Sequence, residues 1–267
     1  MGIGDDMMWR AEAYHQFKKT GKKQRPFNLD RQAKSVARGF AKPVWHNTPW
    51  LDFNYGEPFE THTNNNKRWY HNNTPYKPKT APIEFKDSEE MWFMLNYKKL
   101  QPYILINPDA KQSVFANNKK YFRWQEVIDG LQDYKLIRAL PSPKFIAKAK
   151  GQTDYLGLQN VRCLTIREAM ILIKYAQLVV TTEGGVHHIA GNLDVPCVVL
   201  YGSHQSPQRT GYEGQINITR KTHCNPDGLG CHMSKGPCTY CEQAMDSIEP
   251  KEVIELVKQN YNKRDYK

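Results

Sequence analysis

Residues 178–202 read LVVTTEGGVHHIAGNLDVPCVVLYG. Two apolar, β-branched runs, LVVTT (178–182) and PCVVLYG (196–202), flank a glycine pair and the segment VHHIAGNL (186–193). Short continuous apolar runs bounded by turn residues mark strands buried on both faces, as in a parallel sheet. The unit is therefore expected to be strand, glycine turn, short helix and strand. Upstream, TIREAMILIKYAQ (165–177) has the period of an amphipathic helix. Thr165 is placed to cap it, with Glu168 three residues on. PYILIN (102–107) and YKLIRAL (134–140) read as further strands, with a helix over KKYFRWQEVIDGLQ (119–132) between them. PKEVIELVKQNY (250–261) reads as a closing helix with proline in its first turn. From residue 100 onward strands thus alternate with helices, the pattern of an α/β fold that binds ligands at the carboxyl ends of its strands.

The N-terminal third has a different texture. Residues 7–20 (MMWRAEAYHQFKKT) read as a helix after the short start MGIGD. Residues 40–82 are rich in Asn, Pro, His and aromatics, which suits loops and short strands. The expected division is a reduced, loop-rich domain over 1–97 and a Rossmann-like domain over 98–267.

At 267 residues, 39% hydrophobic and 24% charged, the chain has the composition of a globular protein with a sizeable core. It contains no apolar run of about 18 residues, so no membrane span is expected. The start MGIGDDMMWR has neither the basic nor the apolar region of a signal peptide, which points to the cytoplasm (a host's, if a phage encodes the chain). The formal net charge is +11. Residues 1–50 contribute +6 and residues 101–150 contribute +5. Such a field favours an anionic partner: nucleic acid, a phosphorylated glycan, a membrane surface or a nucleotide. A basic balance kept only for solubility fits the same numbers.

The quoted stretch also carries candidate chemistry. Gly184 and Gly185 let a ligand approach the backbone without meeting a Cβ atom. The helix that follows presents N–H groups and a partial positive charge, which suits a diphosphate. His187 and His188, in its first turn, are candidate phosphate donors. The same residues fit a tight turn in which one histidine caps and the other packs. Of the six cysteines, Cys163 and Cys197 sit in apolar surroundings and read as buried thiols. The other four, Cys224, Cys231, Cys238 and Cys241, crowd into HCNPDGLGCHMSKGPCTYC (223–241). The final CxxC and nearby glycines fit a tetrahedral zinc, with His223 and His232 as reserve ligands. Two local disulfides or free thiols are the competing readings. Four thiolates would close the coordination sphere, so zinc here would be structural rather than catalytic.

At Glu183-Gly184-Gly185-Val186-His187-His188-Ile189-Ala190 the sequence resembles glycosyltransferase family 9, the heptosyltransferase-like family. The next strand ends at Gly202 and is followed by Pro207 and Thr210-Gly211-Tyr212, as in that family. Gly4-Asp5 after Met1-Gly2-Ile3 resembles the family's opening, and Asn118-Lys119 resembles the lysine after its first second-domain strand. Glu183 stands where the family usually carries Asp, which marks a divergent branch. The resemblance implies a GT-B fold, two Rossmann-like domains facing a cleft, here with a reduced first domain. It implies inverting, metal-independent transfer from a nucleotide diphosphate sugar. Asp5, on a loop facing the cleft, is then the candidate base that takes a proton from the acceptor hydroxyl. Asp5 and Asp6 also fit a helix N-cap pair. Lys119, His188 and the Gly184-Gly185 backbone would stabilise the diphosphate leaving group. Glu183 would hold a ribose or sugar hydroxyl, and Ser203 and Thr210 would reach phosphate oxygens.

For the acceptor, NNNKRWYHN (64–72), Trp45, His46 and Trp50 offer basic and aromatic groups that stack on bases or on sugar rings. The preferred reading is a hydroxymethylated cytosine in DNA, flipped out of the duplex. A lipopolysaccharide or other phosphorylated glycan is the alternative. A nucleic-acid-binding module with a zinc knuckle on a degenerate transferase fold is the third.

Overall fold

The computed structural model describes residues 3–26, 48–51, 57–59, 76–108, 117–141, 153–231 and 237–263. The segments NNNKRWYHN, Trp45 and His46 lie outside these residues, as do Met1-Gly2 and His232.

The centre of the molecule is a six-stranded sheet. Its strands are β3 (Ile104–Asn107), β4 (Leu136–Pro141), β5 (Gln159–Cys163), β6 (Leu178–Thr182), β7 (Cys197–Tyr201) and β8 (Ile216–Thr219). Their spatial order is β5-β4-β3-β6-β7-β8, and every pair is parallel. Chain direction across the sheet therefore reverses between β3 and β6. That is the doubly wound order, whose switch point opens a crevice at the carboxyl ends of the two central strands.

Alternate residues serve opposite faces, as the period of two demands. Leu105, Val179 and Val199 point into one core with Met170, Ile171 and Ile189. Ile104, Ile106, Val180, Val198 and Leu200 point into the other with Trp124, Val127, Val253 and Val257. The first face is covered by α4 (Ile166–Lys174) and α5 (Gly185–Asn192), the second by α3 (Trp124–Asp129) and α8 (Pro250–Asn260). Thr165 caps α4 as its sequence indicates, its hydroxyl accepting from the Glu168 N–H at 3.1 Å. Pro250 opens α8. The α/β expectation is met. Strands β5 and β8 and the helices α2 (Asp87–Asn96), α6 (Pro207–Thr210) and α7 (Thr239–Asp246) are additions to the sequence reading.

The N-terminal segment departs from expectation. Ile3–Thr20 is one helix, α1, so Gly4 and Asp5 lie in its first turn and not on a loop after a strand. The acidic pair Asp5-Asp6 suits that position, because the helix dipole favours negative charge there. Met7, Trp9, Ala11 and Ala13 of α1 join the first core, across the division expected at 97/98. The buried Arg10 guanidinium donates to the Ala81 carbonyl at 3.3 Å and also to the Pro82 carbonyl. Burial, aided by the nearby Arg167 charge, lowers its pKa to about 10. The remaining described strands, β1 (Gln24–Pro26) and β2 (Glu57–Phe59), form a two-stranded parallel sheet.

Candidate active site

The crevice at the switch point is built from three chain segments. At the end of β3, the Asn107 side-chain N–H donates to the Thr181 hydroxyl on β6 at 3.1 Å, tying the two central strands together. One residue past β6 comes Glu183, then the turn Gly184-Gly185 into α5. The short helical turn 117–119 brings Lys119 across from the β3 side, and its ammonium bonds the Glu183 carboxylate. Burial alone would raise the Glu183 pKa, but Lys119 overrides burial and holds the carboxyl well below its usual range. Lys119 is the largest of the groups that lower that pKa, ahead of His187 and His188. The predicted sugar-hydroxyl role of Glu183 and phosphate role of Lys119 thus converge on one ion pair.

The two histidines have different assignments. His187 is fully buried. Its Nδ1 accepts from the Gly184 N–H at 2.9 Å, so Nε2 carries the hydrogen and donates to the Thr210 carbonyl at 2.9 Å. Burial lowers its pKa, more than Glu183 raises it. Both His187 nitrogens are thus engaged within the protein, and the residue caps and packs the turn.

The His188 ring lies against the His187 ring, with centroids 3.9 Å apart, and has other partners. The Asn192 amide is oriented by its Oδ1, which accepts from the Ala81 N–H at 2.9 Å. Its Nδ2 therefore donates to the Tyr212 hydroxyl at 3.3 Å. Tyr212 passes its own hydrogen to His188 Nδ1 at 3.0 Å, which leaves the His188 hydrogen on Nε2. That edge of the ring meets the start of α1. A Cβ on Gly4 would lie 2.8 Å from His188 Nε2 and 2.4 Å from Cδ2. A Cβ on Gly185 would lie 3.2 Å from Ile3 Cβ. The two helix starts are therefore in direct contact, and this places Asp5 one residue from the His188 contact. Asp5 is buried, at 8% exposure. Glu183, His187 and His188 also bring one ligand atom each within 4.8 Å of one another. The His187 nitrogens and the Glu183 carboxylate are nonetheless taken by partners within the protein.

Ser203 and Thr210 are structural where they stand. The fully buried Ser203 hydroxyl donates to the Arg220 carbonyl at 2.9 Å and accepts from the Thr222 hydroxyl at 2.7 Å. The Thr210 hydroxyl donates to the Ser206 carbonyl at 3.2 Å. Both hydroxyls of the expected phosphate-binding pair are thus engaged within the protein. Tyr212 and Asn192 were not among the predicted site residues. Tyr212 belongs to the Thr-Gly-Tyr motif, but its link to His188 spans 24 residues and exists only in the fold.

The four clustered cysteines converge. Their Sγ atoms lie within 4.8 Å of one another, and Cys224 and Cys241 approach to 3.6 Å. All six cysteines are free thiols. Zn–S bonds of about 2.3 Å make a tetrahedron with edges of roughly 3.8 Å, so the donor set fits a tetrathiolate ion. Cys163 and Cys197 are buried as expected, and burial pushes both thiols up, Cys163 to about 12. Among the described residues no helix is long and apolar enough to cross a membrane.

No curated protein matches the chain. Solved structures do. The Escherichia coli ADP-heptose lipopolysaccharide heptosyltransferase II is 20% identical, with a TM-score of 0.49 over 71% of this chain and 56% of that one. The E. coli heptosyltransferase WaaC with ADP is 12% identical, with a TM-score of 0.42 over 85% and 70%. A family 9 glycosyl transferase from Veillonella parvula is 14% identical, with a TM-score of 0.47 over 68% and 54%. The chain thus spans little more than half the length of the first of these. The model of glycosyltransferase family 9 (heptosyltransferase) matches residues 72–234, more than half of the 267, and the chain belongs to that family.

Proposed function

We propose that the chain transfers a sugar from a nucleotide diphosphate sugar to a hydroxyl of an anionic acceptor, with inversion and without a catalytic metal. The observation that carries this reading is the Lys119–Glu183 pair at the crevice between β3 and β6, beside the α5 N-terminus. The Lys119 ammonium and the α5 dipole stabilise negative charge on the departing diphosphate. Glu183 orients the Lys119 ammonium until the donor arrives. Asp5, on the adjoining helix start, takes the acceptor proton. The acceptor oxygen then bonds the anomeric carbon, and the bond to the diphosphate oxygen breaks with its electron pair leaving on the nucleotide. Cys224, Cys231, Cys238 and Cys241 hold a structural zinc in a closed site that touches no substrate.

The net charge of +11 supports an anionic acceptor. We take hydroxymethylated cytosine in DNA as one acceptor, on charge, with the protein acting in the cytoplasm of a phage host. A phosphorylated surface glycan is the second, favoured by the family's heptosyltransferase description. Mass spectrometry of both acceptors, each incubated with a panel of nucleotide sugars, decides between them. A mass gain on the glycan alone removes DNA, and a gain on neither removes the transferase reading in favour of a binding module. Asp5→Ala should lower turnover by about 10²–10⁴-fold while still folding, at a cost of about 0.3–1 kcal/mol from the lost helix-dipole interaction. Unchanged turnover would move the base elsewhere.

A further inference from the structure

The cysteine cluster is joined to the crevice by bonds that a free-standing zinc knuckle has no need of. The Cys238 N–H donates to Asn118 Oδ1 at 2.8 Å, and Asn118 is fully buried and immediately precedes Lys119. The Cys231 N–H donates to the His204 carbonyl at 3.3 Å, on the loop after β7. The Thr222 hydroxyl lies 3.1 Å from Cys224 Sγ and donates to Ser203 on that same loop. Two loops that border the carboxyl ends of β3 and β7 are thus anchored on one cluster. Among the described residues, the satellite core at this place consists of Cys224, Cys231, Cys238 and Cys241. Four small side chains bury little apolar area, and an ion bound by all four sulfurs would supply the cross-link that packing does not.

We propose that a tetrathiolate metal ion, zinc or iron by its donor set, acts on the donor site through Asn118. It touches no substrate; by holding the 117–119 turn it presents the Lys119 ammonium to the diphosphate. Lys119 and Asn118 are then linked as binding and positioning residues, and nucleotide affinity depends on metal loading. This inference rests on the donor-site reading above.

The test uses the full chain with ADP, UDP and GDP as probes. Elemental analysis should find one zinc or iron per chain. Stripping the metal with a chelator under reducing conditions should weaken the tightest-bound nucleotide at least tenfold, and adding the metal back should restore it. Asn118→Ala should keep its metal and its circular dichroism spectrum yet lose at least fivefold in nucleotide affinity. A chain without metal, a stripped protein that binds as well as the loaded one, or an Asn118→Ala variant with metal and full affinity would each overturn the coupling. Loaded wild-type protein that binds none of the three nucleotides defeats the donor-site reading itself, and the coupling with it.

Discussion

The two flanks of the crevice are held in different ways. On the α5 flank, order comes from close contact. Gly4 lies on the His188 ring, Ile3 on Gly185, and the Tyr212 ring so near Gly191 that a Cβ there would fall 2.5 Å from it. The polar groups of His187 and of the Asn192–Tyr212–His188 chain are satisfied inside the protein. On the cysteine flank, the described cluster consists of the four cysteines, and its loops hang on hydrogen bonds to Asn118, Ser203 and His204. A packed flank carries its geometry in side-chain shape. A loop-rich flank needs a cross-link to reach the same rigidity, and here Lys119 belongs to the second flank while its partner Glu183 belongs to the first.

Severing that link is expected to have the largest effect. Lys119→Ala removes charge stabilisation at the leaving group, about 10²–10³-fold in turnover. It also strands a buried carboxylate, at a cost of about 3 kcal/mol in stability. Adding Glu183→Gln should recover the melting temperature but not the turnover. If the double variant recovers both, the pair is structural only. Next comes the packed flank alone. Gly4→Ala forces a Cβ into the His188 ring and should cost about 1–3 kcal/mol by urea unfolding, with the metal content of the cysteine flank unchanged.

A smaller, pH-dependent effect separates the flanks again. His187 and Glu183 both have native pKa values below their ordinary ones. The unfolded chain therefore binds more protons as the pH falls. Stability is complete above about pH 6.5 and declines below it, first through His187 and then through Glu183, by at most about 1.4 kcal/mol per pH unit for each proton. Melting temperatures from pH 7.5 to 4 should follow that slope, and His187→Gln should flatten its upper part. A flat profile between pH 6.5 and 5 in the wild type would show that His187 does not titrate on unfolding. The smallest change is Tyr212→Phe, which removes one hydroxyl between Asn192 and His188. It should cost about 1 kcal/mol of stability in thermal melts. A loss above 3 kcal/mol would mean that the ring, and not the hydroxyl, had moved.

Much of this was written in local pattern. The runs 178–182 and 196–202, the Thr165 cap and Pro250 announced their elements because each depends on neighbours a few residues away. Strand β5, QNVRC, was hidden because its exposed edge alternates Gln159, Asn160 and Arg162 with Val161 and Cys163, and lacks a continuous apolar run. The spacing of the four cysteines likewise foretold their convergence, since a CxxC turn brings two thiols together by itself.

The amino-acid sequence alone determined the parallel α/β sheet, the glycine turn at its centre, the family and the cysteine cluster, all features of short range or of period two and 3.6. Only the tertiary structure decided what the polar residues do. It paired Glu183 with Lys119, 64 residues away, sealed His187 against Thr210, and turned His188 toward the first turn of α1. Those outcomes depend on which buried donor finds which acceptor. That choice is made by burial and distance between elements far apart in the chain, and no local pattern encodes it.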